Sequence, residues 1–207
     1  MRTKKVEKKR FYKDNILIDM VAHWQKISNI KETDYEAVFY LGGHGPLWGL
    51  ATGKDSIQLI ETFYNHQKLF FFVFHAPAAL VNVKAINGEP LVKGKHLTGF
   101  SNTEEEVVQL TKVLLFLLEG ELTKQGAHYS KGADWEFNAK QDVLLITGRN
   151  PSSSEAVTQL LVKTTYRRGI VSMLPFIISF QTLEMVLLSL FKNRVFAFSI
   201  LDKTDRI

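Results

Sequence analysis

The sequence contains no cysteine. This absence excludes disulfide bonds, thiolate metal sites and a cysteine nucleophile. It is compatible with the cytosol, where thiols stay reduced, and we expect a cytoplasmic protein. The sequence also has no internal repeat and no aromatic platform or known motif for nucleic acid beside its basic residues. We therefore predict no nucleic-acid partner.

The positive charge is confined to the two ends of the chain. The net charge is +5, but residues 1–10 carry six basic residues against one acidic residue, and residues 164–207 carry six against three. Residues 11–163 hold 14 basic and 17 acidic residues, a net charge of −3. We interpret 1–10 as a solvated, disordered start, because a mitochondrial presequence would be rich in Arg and Ser and amphipathic.

The length and composition predict one folded domain. With 207 residues, 45% of them hydrophobic, the chain can bury one core of ordinary size but not two. Apolar runs bounded by turn residues predict strands over 37–41, 69–74 and 143–147. Helical spacing or capping residues predict helices after Asn15, over 54–66, over 77–83, after Asn102 (one long helix or two) and after Pro151. This alternation predicts an α/β fold with a parallel sheet.

The segment 169–191 has a different character. It is apolar, long enough to cross a bilayer and flanked by basic residues. Pro175, Gln181 and Glu184 lie within it, and a glutamate at mid-bilayer costs about 2–3 kcal/mol or more unless it is neutralised or paired. Three interpretations stay open: a membrane span, which the sequence favours least, a buried or partner-seeking helix pair, and a poorly folded appendage.

Two glycine- or proline-containing turns follow predicted strands, where parallel sheets gather their sites. In "YLGGHGPLWGL" (40–50) adjacent glycines let backbone N–H groups approach a small ligand and stabilise an oxyanion. In "VFHAPAAL" (73–80) a strand bends into a helix start, a place that lowers the pKa of a thiol. The residue at this bend is Phe74. Each turn is a weak signal alone.

Five blocks in register resemble the ThiJ/PfpI family of the class I glutamine-amidotransferase-like superfamily. They are "DYEAVFYLGGHGPLWGL", "FHAPAALVNVK", "GEPLVKGKHLTGFSNTEEE", "GAHYSKGADWE" and "LLITGRNPSSSEAV". The branch is that of glutathione-independent glyoxalase (glyoxalase III) and its heat-shock chaperone relatives. The resemblance covers residues 11–163, a partial domain between the basic start and a non-family tail at 164–207.

The resemblance implies a flavodoxin-like three-layer sandwich with a parallel sheet. It implies a small aldehyde as substrate, with methylglyoxal converted to lactate without a cofactor; deglycase and holding-chaperone activities are also attributed to the branch. The family nucleophile is a cysteine at a strand-to-helix elbow, and Phe74 stands at that position. His75 matches the histidine that follows, and Glu105 matches the acidic residue that orients it. The implied pocket positions are Gly42, Gly43, His44 and Ala76, with the backbone of Gly43 and Ala76 forming the oxyanion site.

The chain departs from the family pattern in three ways. Phe74 has no lone pair, so it cannot form a hemithioacetal with an aldehyde. The family's opening strand, first helix and second strand, which supply a central strand and a glutamate base, have no counterpart, and we expect this to leave unpaired sheet edges that favour aggregation or a homodimer. Val143 stands where the family hairpin has glycine, and the sequence after Lys163 matches nothing in the family.

These departures predict a protein related to glyoxalase III that has lost catalysis. The alternative is an active glyoxalase or deglycase in which a partner chain supplies the remaining elements. Ser101 lies near the presumed pocket, but a serine without a positioned base is inert. A metal site among His44, His75 and Glu105 is chemically allowed, yet no helical histidine pair or His-x-His spacing supports it, so we predict no metal.

Overall fold

The computed structural model describes residues 25–169 together with the backbone of residues 195–198. The predicted start over 1–10, the helix after Asn15 and all but the first residue of the 169–191 segment lie outside the described residues. None of the helices within the described residues combines the length and the apolar character that spanning a bilayer requires.

The described chain alternates strands and helices. The strands are β1 (Ala37–Tyr40), β2 (Leu69–Val73), β3 (His96–Leu97), β4 (His128–Tyr129), β5 (Ala139–Asp142), β6 (Leu145–Gly148) and β7 (Val195–Phe198). The α-helices are α1 (Pro46–Gly49), α2 (Lys54–Asn65), α3 (Asn102–Val107), α4 (Leu118–Lys124) and α5 (Ser154–Arg167). Short 3-10 helices cover Ile27–Asn29, Glu32–Asp34, Ala76–Leu80 and Pro151–Ser153.

The main sheet has the order β5-β6-β2-β1-β7. β6, β2, β1 and β7 run parallel, whereas β5 pairs antiparallel with β6. Every residue of β1 and β2 is buried, as expected of central strands in a sheet covered on both faces. The predicted α/β class with a parallel sheet is confirmed. Because the strands are parallel, the turns after β1, β2 and β6 all lie at the carboxyl ends of the strands, on the same side of the sheet.

The strand β7 comes from the part of the tail that we expected to lie outside the family domain. It pairs in parallel with β1, in a register that matches Ala37 with Val195 and Tyr40 with Phe198. We expected unpaired sheet edges; the side of β1 that faces β7 is not one of them, because a backbone segment from the tail pairs there.

The region after Phe100 forms two short helices rather than one long helix. Ser101, and not Asn102, caps α3: its side chain accepts from the Glu104 N–H, and the Glu104 carboxylate accepts from the Ser101 N–H. Ser-x-x-Glu is the pattern of such a capping box. Gln109, with φ of 62°, ends the helical path, and residues 108–117 form turns before α4.

The predicted strand over 143–147 starts two residues later than expected. Val143 is 71% exposed and lies in the turn that joins β5 to β6, with φ of 49°. This left-handed conformation costs a β-branched residue roughly 1–2 kcal/mol. Glycine is favoured at such a turn position, which gives a physical reason for the glycine of the family hairpin.

Candidate active site

The elbow after β2 is held on both sides by backbone hydrogen bonds. Phe74 has φ of 67°, and the 3-10 helix Ala76–Leu80 starts two residues later. The Phe74 N–H donates to the Gly148 carbonyl at 2.9 Å, and the Phe74 carbonyl accepts from the Phe100 N–H at 3.0 Å. The sharp bend that the sequence predicted is therefore present and fixed, with a phenylalanine at its apex.

The glycine turn after β1 packs directly against this elbow. A Cβ at Gly42 would lie 2.4 Å from the Phe74 Cβ and 2.5 Å from the Val73 carbonyl oxygen, so only glycine lets the two loops approach this closely. Gly43 has φ of 130° with open space beside it, and Ala76 is buried at the helix start. The oxyanion role of Gly43 and Ala76 stays a prediction.

Three predicted site residues meet through one carboxylate. Glu105 Oε2 lies 2.6 Å from His75 Nε2, and Glu105 Oε1 lies 3.1 Å from His44 Nε2. His75 is fully buried and Glu105 is 3% exposed, whereas the His44 side chain is 26% exposed. The two imidazole ring centroids are 4.1 Å apart. The structure thus brings together the histidines of both turns and the acidic residue of α3.

Aromatic rings fill the space beside these polar groups. The Phe74 ring makes a T-shaped contact with Phe100 at 4.5 Å between centroids and lies 4.3 Å from the His75 ring. Trp135, which is 45% exposed, contacts Phe100 from the other side at 6.0 Å. Such pairs stabilise beyond the area they bury. The ring of Phe74 therefore packs as part of an aromatic cluster at the apex of the elbow.

Comparison with known proteins gives similar proteins with glyoxalase names, although no family model matches the chain. Glyoxalase 3 from Candida albicans is 31% identical over 136 residues, which cover 63% of this chain and 58% of the relative. The glutathione-independent glyoxalase HSP31 from Saccharomyces cerevisiae is 31% identical over 142 residues, covering 63% and 59%. The chain therefore spans just under three fifths of the length of these two curated relatives.

A solved structure supports the same assignment. The Francisella tularensis Rapid Encystment Protein 24 kDa superimposes with a TM-score of 0.72 at 31% identity, over 75% of this chain and 69% of the other. The chain belongs to the ThiJ/PfpI family. Within it, the glyoxalase names of the relatives place the chain in the glyoxalase III branch. The predicted family and fold are confirmed; the catalytic roles of individual residues stay predictions.

Glu104, the neighbour of Glu105, is the centre of a buried network in this ThiJ/PfpI chain. Its Oε1 accepts from Asn150 Nδ2 at 2.7 Å and from the Trp135 N–H at 2.9 Å, and lies 3.4 Å from Arg149. Its Oε2 accepts from the Ser101 N–H and hydroxyl. The Ser101 hydroxyl is thus engaged in the helix cap with the Glu104 carboxylate; that it is inert stays a prediction.

Arg149 is fully buried and connects this network to the loop before β5. Its guanidinium donates to the carbonyl oxygens of Gly132, Ala133 and Glu136. Sequence reasoning missed both Arg149 and Glu104. Two signals were available: the Ser-x-x-Glu capping pattern at 101–104, and a charged residue two positions after the strand predicted over 143–147.

The protonation of the site follows from its burial. Burial lowers the pKa of His75 below its ordinary value of 6.5, and the Glu105 carboxylate only partly offsets this. Burial raises the pKa of Glu105, but hydrogen bonds from His75 and His44 outweigh it and hold that pKa below its usual range. The native state therefore favours a neutral His75 beside an ionised Glu105.

We expect the stability of the protein to fall as the pH drops below about 6.5. Below that pH, His75 binds a proton more readily in the unfolded chain than in the native state, so acid favours unfolding. Glu105 adds to the loss of stability below its ordinary pKa of 4.5, because its pKa is lower in the native state. Urea midpoints measured from about pH 7.5 to 5 with EDTA present test this. His75→Gln should flatten the upper part of the profile, whereas His96→Gln, at an exposed histidine, should not. An unchanged profile in His75→Gln would contradict the assignment.

Proposed function

We propose that this protein is a member of the glyoxalase III branch that has lost covalent aldehyde conversion and retains a binding role. The observation that carries the proposal is the phenylalanine at the elbow. Phe74 offers no lone pair to an aldehyde carbon, and its ring is packed against Phe100 and His75. A lactate assay with methylglyoxal tests the catalytic half of the proposal.

The arrangement around the elbow supports this interpretation over a different active nucleophile. The Ser101 hydroxyl is held in the α3 cap by Glu104. The His75 and Glu105 pair can orient and hold a proton, but no hydroxyl or thiol is among the described hydrogen-bond partners of these two side chains. The site therefore keeps the parts that would assist a nucleophile while its apex carries a hydrocarbon ring.

An exposed apolar segment supports the proposed binding role. Residues 107–115 expose four large apolar side chains, namely Val107, Val108, Val113 and Leu115. Clustered exposed apolar residues are typical of surfaces that bind other chains. We infer that unfolded client segments, which also expose apolar side chains, are held here, as a holding chaperone of this branch would do. Self-association through the same segment would give a homodimer.

We expect the protein to suppress the aggregation of a heat-denatured client at near-stoichiometric ratio. Because Val113 and Leu115 are 63% and 61% exposed, replacing both with aspartate should remove most of the suppression without loss of folding, since surface substitutions usually change stability by no more than about 0.5 kcal/mol. Light scattering of the client measures the effect, and light scattering of the protein alone gives its oligomeric state.

Val143→Asp is the matched control for this experiment. It also removes an exposed valine, but one in the β5–β6 turn, far along the chain from residues 107–115. Aspartate tolerates the left-handed conformation at this position better than valine. Equal loss of suppression in this variant, or no suppression by the parent protein, would refute the binding role of the 107–115 segment.

A further inference from the structure

Three side chains with metal-ligating atoms converge at the elbow. His44, His75 and Glu105 can each offer one ligand atom, and these atoms all lie within 4.8 Å of one another. The residues are separated by 31 and 30 positions in the chain, so no local spacing indicates the group. In the part of the chain that the structure describes, this is the one group of at least three such residues.

We propose that His44, His75 and Glu105 form a binding site for one divalent transition-metal ion of the Zn²⁺ type. Two imidazoles and one carboxylate, with a further position open, are the donor set of many zinc sites. Ligand atoms bound tetrahedrally at about 2.0–2.1 Å lie roughly 3.3 Å apart. The present contacts of 2.6 and 3.1 Å are both shorter than this spacing, so each has to widen to admit an ion.

The movement needed to admit an ion is small and affects two contacts. His75 is fully buried and Glu105 lies on the capped helix α3, so a change in the Glu105 side-chain torsions has to widen their 2.6 Å contact. The His44 side chain is 26% exposed and follows directly after Gly42 and Gly43 in the turn. A change of its side-chain torsions can widen its contact with Glu105.

Metal binding requires a change of tautomer at His75. Its Nδ1 is buried and has no hydrogen-bond partner in the described structure. Moving the ring proton from Nε2 to Nδ1 frees the Nε2 lone pair for a metal, but it leaves a buried N–H without an acceptor, a cost that the bonds to the ion have to offset. The hydrogen bond between Nε2 and Glu105 is lost as well, and both groups would then bind the ion instead.

Phe74 determines the character of the remaining coordination position. Its ring centroid lies 5.7 Å from that of His44 and 4.3 Å from that of His75. The ring supplies no ligand atom, so water or a small oxygen ligand would complete the coordination. The aromatic wall limits how much water enters and strengthens the attraction between the ion and Glu105.

A second pair of histidines could bind metal without any built site. The rings of His96 and His128 stack at 4.8 Å, and both residues are exposed. Their double replacement, His96→Asn with His128→Asn, serves as the matched control. It removes two imidazoles, as many as the proposed site contains, but from the surface.

The test is titration of EDTA-dialysed protein with Co²⁺ and Zn²⁺. We expect one ion per chain. Bound Co²⁺ should give visible ligand-field absorption bands typical of a low-symmetry site, and the heat released on titration with Zn²⁺ should saturate at one equivalent. His44→Ala and Glu105→Gln should each weaken binding by more than the roughly 10–100-fold that loss of an outer-shell partner costs. The His96/His128 control should keep both the stoichiometry and the spectrum.

Two outcomes would overturn the proposal. One is that the parent protein binds neither ion, and the other is that binding persists in His44→Ala but disappears in the surface control. Thermal unfolding in EDTA establishes that each variant is folded. Because the His44 side chain is partly exposed, His44→Ala is the substitution that should disturb folding least. The lactate assay does not decide this result, because binding is read from stoichiometry and spectrum.

Discussion

The purified protein is expected to form lactate from methylglyoxal no faster than protein-free buffer. Conversion in this branch begins with attack of a cysteine on the aldehyde carbon, and Phe74 can make no such bond. Loss of the nucleophile typically removes several powers of ten from an enzymatic rate. Enzymatic determination of lactate measures the result, with Candida albicans glyoxalase 3 as the positive control. Turnover above the buffer rate would instead favour the alternative in which a partner chain completes the site.

The Phe74→Cys variant tests whether the residue at the elbow alone accounts for the expected lack of activity. Because the chain has no cysteine, iodoacetamide reports only on the introduced thiol, and we expect one label per chain. We expect lactate to stay at the buffer rate. Glu105 already accepts hydrogen bonds from both His75 and His44, and Glu104 is engaged by Arg149 and Asn150. No further carboxylate that contacts the site among the described residues is left to act as a base.

Phe74→Ala is the control for this substitution, since it removes the ring without adding a thiol. Phe74→Cys could be labelled and produce lactate while Phe74→Ala does not. In that case one residue separates this chain from an active enzyme, and the expectation that no carboxylate is left to act as a base is wrong. If neither variant produces lactate, the proposed loss of covalent conversion extends beyond the elbow.

Replacing Arg149 with methionine is expected to lower the free energy of unfolding by about 3–5 kcal/mol. The guanidinium and the Glu104 carboxylate are both fully buried, and removal of Arg149 leaves the buried carboxylate without its cationic partner. The carbonyl oxygens of Gly132, Ala133 and Glu136 also lose their donor. Urea unfolding followed by circular dichroism measures the change.

A double-mutant cycle tests the cause of this loss. Arg149→Met combined with Glu104→Gln should be less destabilised than the sum of the two single variants, since the pair is removed together. Arg149→Lys keeps the charge but not the planar set of donors, so it should fall between the parent and Arg149→Met. A loss below about 1 kcal/mol in Arg149→Met would mean that the network contributes little.

Local patterns in the sequence predicted much of the fold. The strands at 37–41 and 69–74 and the helix over 54–66 agree with β1, β2 and α2 within one residue at each end. Apolar runs and helical periodicity report on burial within a few residues, which is why they can be read locally. The region 102–124 was predicted less well, because a capping box and a left-handed residue at 109 end α3 early.

Two features of this ThiJ/PfpI chain follow from residue identity: it has no cysteine, and it carries Phe74 at the elbow. Residue identity alone decides whether a covalent bond to an aldehyde can form. Tertiary structure alone decided that His44 meets Glu105, 61 residues away, that Arg149 meets Glu104, and that β7 pairs with β1. Such contacts depend on which strands lie side by side and on the closeness that glycine permits at position 42. Those are properties of the folded chain, since no short stretch of sequence contains both partners.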